Sequence, residues 1–164
     1  MPTSQNTKRK QVYLNSFKSL SQLESAVKRL KKDYTDDFQI SILGKVAQFC
    51  NDKNLVVLKD ISVLKTYWKD LMGTKKFGDF YSPEIGYVFI VGSLVPTFLH
   101  KINGKPLAAL SSGSYGIFRG IGLSETQAAS YMELLNTGHY LLILRGFEAT
   151  IQELKKYSST IENS

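Results

Sequence analysis

Apolar residues recur along this chain with two different periods, and the switches between them outline the elements. Residues 11–17, QVYLNSF, put Val12, Leu14 and Ser16 on one face of a two-residue repeat and predict a strand. Residues 21–33 change to helical spacing, with Leu23, Ala26, Val27 and Leu30 on one stripe. Ser21 and Glu24 have the spacing of a capping box for that helix, and its last turn is basic, which complements the helix dipole. Phe38, Ile40 and Ile42 then alternate again, completing a β-α-β unit.

The middle of the chain is less regular. Residues 54–60, NLVVLKD, read as a short strand, with Asp60 placed to cap a helix over 61–72. Leu64, Tyr67, Trp68 and Leu71 form the apolar face of that helix, and Gly73 stops it. Residues 74–86 read as a loop rich in turn residues, and YVFIVGSL at 87–94 as the third strand of the main sheet. Asn103-Gly104 marks a turn. Residues 106–123 read as a short helix followed by a close-packed glycine-rich loop.

The last third is clear. Ser124 and Gln127 cap a helix with Ala128, Tyr131, Met132 and Leu135 inward and Gly138 at its end. A buried strand at 139–146 and a terminal helix anchored by Phe147, Ile151 and Leu154 follow. The predicted class is α+β: a ferredoxin-like split βαβ sheet with a helical insertion at about 45–80 and an extra C-terminal helix. One domain is expected over 11–158, between disordered tails at 1–10 and 159–164.

The segment GYVFIVGSLVPTFL, residues 86–99, raises the question of a membrane span. The uncharged run is shorter than the roughly 20 apolar residues a spanning helix needs, and Gly92 and Pro96 interrupt it. Its β-branched and aromatic first half fits a buried strand instead. Its apolar surface also suggests the core of a homodimer interface built from Phe89, Val91, Leu94 and Phe98.

Composition narrows the function classes. The 164 residues carry a net charge of +7, a single cysteine and two histidines. One cysteine excludes an internal disulfide framework, and Cys50 reads as a small apolar core residue in a reducing, cytoplasmic setting. The polar N-terminus has no apolar stretch after its basic residues and does not read as a secretory signal. The positive charges are scattered through the sequence, at Lys8–Lys10, Lys28–Lys32, Lys75–Lys76 and Lys155–Lys156, which argues against a nucleic-acid site.

Candidate chemistry is sparse. His100 and His139 have no cysteine or carboxylate at ligand spacing, so neither a metal nor a cofactor is expected. SSGSYG lacks the glycine two residues before Ser114 that a nucleophile elbow requires. GIFRGIG has neither dinucleotide-binding nor phosphate-loop spacing. The weak anion-binding candidate that remains is Gly120, Gly122 and Ser124, at a helix N-terminus.

Pro83, Gly86, Gly92, Gly120, Gly122, Tyr131, Gly138 and Gly146, with the β-α-β unit at 12–43, resemble the bacterial general stress protein or heat-induced stress protein family. That resemblance implies no catalytic residue. The polar, Trp-containing helix at 61–72 departs from the Gly/Ala helical hairpin often found there in the family. The resulting expectation is a non-enzymatic, stress-associated cytoplasmic protein acting by self-association or through a protein partner. The alternative is a small-ligand binder with a cavity between sheet and insertion.

Overall fold

The computed structural model describes residues 10–33, 38–56 and 61–162, with side chains to residue 156. Five strands form one antiparallel sheet: β1 (Lys10–Phe17), β2 (Phe38–Lys45), β3 (Phe77–Ser82), β4 (Gly86–Gly92) and β7 (Tyr140–Phe147), in the order β1-β7-β2-β4-β3. A second, two-stranded ribbon joins β5 (Lys101–Ile102) to β6 (Lys105–Pro106) across the expected Asn103-Gly104 turn, where both residues have positive φ.

The helices are α1 (Leu20–Asp33), α2 (Val46–Lys53), α3 (Ile61–Met72), α4 (Val95–Leu99), α5 (Gly113–Gly120), α6 (Glu125–Asn136) and α7 (Glu148–Glu162), with a 3₁₀ turn at Leu107–Ala109. The mixed α+β class is therefore as expected. β1 and β2 both run antiparallel to β7, which lies between them, so the first β-α-β unit is split by the last strand. Helices cover both faces of the sheet.

Strand periodicity divides the core into two. Ile42, Phe89, Val91, Tyr140, Leu142 and Leu144 point toward α1, α2, α3 and α7. Leu14, Leu43, Val88, Ile90, Leu141 and Ile143 point toward α4, α5 and α6. β4 and β7 are thus buried on both faces, which is why their sequences are apolar without alternation. Each fully buried Leu or Phe contributes about 1.5–3 kcal/mol through burial.

Several local expectations change. α1 starts at Leu20, slightly earlier than its periodicity suggests, because this buries the Leu20 side chain. Ser19, not Ser21, then caps it, its Oγ accepting the Gln22 N–H at 3.4 Å. Part of the segment expected to be a loop is the edge strand β3, whose Gly78 and Asp79 are poor strand formers and hide the pattern. Pairing with β4 and cover from α4 override that propensity: Leu99 lies where a Cβ on Gly78 would stand, 2.1 Å away. The glycine-rich stretch is helical over Gly113–Gly120 rather than a loop.

Phe147 ends β7 and is 44% exposed, so of the three expected anchors of the terminal helix only Ile151 and Leu154 serve. The helix α2 has no counterpart among the sequence expectations. Residues 57–60, including the Asp60 cap, fall outside the described residues, and so does most of the strand expected at 54–60. Lys10, expected in the N-terminal tail, opens β1, and the backbone of α7 continues to Glu162. No helix among the described residues is long and apolar enough to cross a membrane.

Candidate functional site

A groove of about 570 Å³ opens on the second face of the sheet, within the usual size range for small-molecule sites. One wall is α5. Its Gly113 packs so closely on the 3₁₀ turn that a Cβ there would stand 2.0 Å from the Leu107 carbonyl oxygen. Gly116 and Gly120 continue the same flank and meet no atom within 4 Å of a Cβ position, so the groove is open because these side chains are missing. Leu94, Leu107, Leu110, Ile117 and Ile121 supply apolar walls.

The turn from β4 into α4 fixes the opposite rim. Ser41 is fully buried in β2; its Oγ accepts the Leu94 N–H at 2.9 Å and lies 3.0 Å from the Ser93 hydroxyl. This pair holds Leu94 and Thr97 against the groove without leaving a buried hydroxyl unsatisfied.

Arg145 also lines the groove, half-buried and paired in register with Val12 and Gln39. Alternation along β7 puts it on the same face as Leu141 and Ile143. Among the described residues it makes no hydrogen bond or ion pair. The other nearby cation is engaged: Arg119 Nη1 donates to the Leu123 carbonyl at 3.0 Å. At the start of α5 the Ser112 N–H already donates to Glu84 Oε1, so that amide is occupied. The groove therefore combines apolar walls with one cation that has no protein partner among the described residues.

The site residues expected from sequence fall elsewhere. Phe89, Val91, Leu94 and Phe98 are at most 1% exposed within the single chain, Phe89 and Val91 in one core and Leu94 and Phe98 in the other. Phe89, Val91 and Phe98 are core residues that present no surface for docking, and Leu94 shows only an edge, to the groove. Gly120 lines the groove, whereas Gly122 lies beside Val12 and Ser124 caps α6. Ser124 Oγ accepts the Gln127 N–H at 3.1 Å and Gln127 Oε1 accepts the Ser124 N–H at 3.0 Å; Glu125 follows in the first turn. These three residues are not assembled into one anion cradle.

Other candidates are quiet. Ser114 is buried, with its hydroxyl 3.4 Å from the Ala108 carbonyl oxygen. His139 Nδ1 is 3.3 Å from Thr137 Oγ1, and Cys50 is buried and in no disulfide. Among the described residues no group of three His, Cys, Asp or Glu side chains could hold a metal ion.

Sequence reading misses Arg145 and Gly116. The available signal is a single arginine in the otherwise apolar YLLILRGF, at a position whose parity points inward. A cavity is expected between sheet and insertion; this groove lies on the opposite face of the sheet. No protein-family model, curated protein or solved structure matches this chain.

Proposed function

We propose that this protein is a non-enzymatic binding domain that takes a small amphipathic anion in the α5 groove. Its acid group pairs with Arg145, and its aliphatic body lies against Leu94, Leu107, Ile117 and Ile121. The observation that carries this reading is Arg145 itself, a half-buried guanidinium at an apolar groove with no protein partner among the described residues. A planar guanidinium in such surroundings gains most from a bidentate carboxylate or phosphate. Self-association, the other expected mode, loses its named residues to the core. A stress-associated role, a cytoplasmic setting and a ferredoxin-like label for the sheet rest on motif resemblance and element order.

Calorimetric titration with decanoate and with decanol tests the assignment. Decanoate binds the wild-type protein more tightly than decanol does, and Arg145→Gln removes that difference. Gly116→Leu blocks both ligands while keeping the fold, since its side chain enters open space and a helical glycine is replaced by a better helix former. Absence of decanoate binding, or equal binding by all three proteins, overturns the reading.

A further inference from the structure

The positive charge that is scattered in sequence is gathered by the fold on the face opposite the groove. Lys31 Nζ, near the C-terminal end of α1, donates to the Leu71 carbonyl at the end of α3, at 3.0 Å. That hydrogen bond, with Lys31 Nζ 3.1 Å from where a Cβ on Gly73 would stand, sets the end of α1 beside the end of α3, and so joins the stretches 28–33 and 69–76 at Lys31, Leu71 and Gly73. The two stretches hold seven basic residues and only two acidic ones, Asp33 and Asp70.

Lys28 is exposed and makes no ion pair among the described residues, its charge only helping to lower the Glu24 pKa, while Lys31 is used by Leu71. Lys32, Lys75 and Lys76 are exposed and make no ion pair among the described residues. The backbone under Lys76 is fixed, because its carbonyl accepts the Gly92 N–H at 3.0 Å and its N–H donates to Thr74 Oγ1 at 3.1 Å.

We propose that this surface, formed by the C-terminal ends of α1 and α3 and the turn into β3, docks the phosphate backbone of duplex nucleic acid. Clustered, exposed lysines on a fixed backbone suit a partner with closely spaced negative charges, and such docking needs no base reading. A single strand would call for aromatic stacking platforms, and a membrane surface for exposed apolar side chains. Among the described residues the patch offers neither: the large exposed hydrophobic residues there are Val56, Val63, Tyr81, Ile102 and Phe147, none of them in these two stretches. Leu71 and Met72 pack inward on the core.

The test is fluorescence anisotropy of a labelled, mixed-sequence DNA duplex titrated with the full chain over a series of salt concentrations. Wild-type protein binds at low salt, with affinity falling linearly on a log–log plot. Lys75→Gln/Lys76→Gln and Lys28→Gln/Lys32→Gln, made as separate double variants, each weaken binding about tenfold at low salt. Each also reduces the salt slope by about two, close to one for every phosphate left without its lysine. Lys101→Gln/Lys105→Gln, in the separate β5–β6 ribbon, leaves both unchanged. No duplex binding at low salt overturns the proposal. So does equal weakening by the control, or binding to phosphatidylserine vesicles in place of DNA. Melting curves identify either double variant that misfolds, and the other then decides.

Discussion

Tyr140, fully buried at the start of β7, donates its hydroxyl to Asp52 Oδ2 at 2.6 Å and so ties the sheet to α2. Gln48 Nε2 braces the same carboxylate, donating to its other oxygen at 3.0 Å. Burial, followed by the Asp52 carboxylate, pushes the Tyr140 hydroxyl far above its ordinary pKa; burial and Glu24 do the same to Tyr67. Both groups are held neutral in the folded state but ionise near pH 10 when unfolded. Their contribution is complete below about pH 10 and is lost progressively as pH rises above it. An absorbance titration at alkaline pH will show at least two tyrosines that ionise only on unfolding, and one fewer in Tyr140→Phe. Ordinary titration of every tyrosine in the folded protein would refute this.

Gly44 lies under the same aromatic group. A Cβ there would stand 2.6 Å from Tyr140 Cδ1 and 2.7 Å from Phe89 Cε2. Both rings are fully buried, with centroids 6.4 Å apart, so the clash has to be absorbed inside the core. Gly44→Ala is expected to destabilise the fold by about 1–3 kcal/mol, the usual cost of overpacking. Urea unfolding followed by circular dichroism measures it, and a midpoint unchanged from wild type would contradict the packing described.

Trp68 is the one tryptophan in the chain, so its emission reports a single site. It is fully buried and stacked on Phe89, with ring centroids 5.3 Å apart, and its Nε1 has no hydrogen-bond partner among the described residues. An indole shielded from solvent emits at short wavelength. Native protein will show blue-shifted emission and weak quenching by acrylamide, and both change together on unfolding. Emission typical of exposed indole would place α3 elsewhere.

Much of the fold is legible in the sequence because its cues are local. The helical spacing of Leu23, Ala26, Val27 and Leu30 is visible within a few turns of chain, and all four side chains are buried in α1. The Ser124–Gln127 capping box is a four-residue signal that the structure reproduces bond for bond. The short, interrupted apolar run at 86–99 identifies a core segment, and Trp68 on the inner stripe of α3 needs no long-range information.

Other features exist only between segments distant in sequence. β3 has weak strand residues and is defined by β4 and Leu99. The roles of Phe89 and Phe98 depend on how much cover the helices supply, which composition cannot measure. The groove is bounded by residues from 94 to 145, and Arg145 belongs to it because β7 lies between β1 and β2. Likewise, 40 residues separate Lys31 from Leu71, and the hydrogen bond between them turns two ordinary basic stretches into one surface. Periodicity determined which side chains face inward, since that depends on a residue and its near neighbours. Strand order and helix placement decided what those faces meet, since cavities and charge clusters depend on pairings that close long loops.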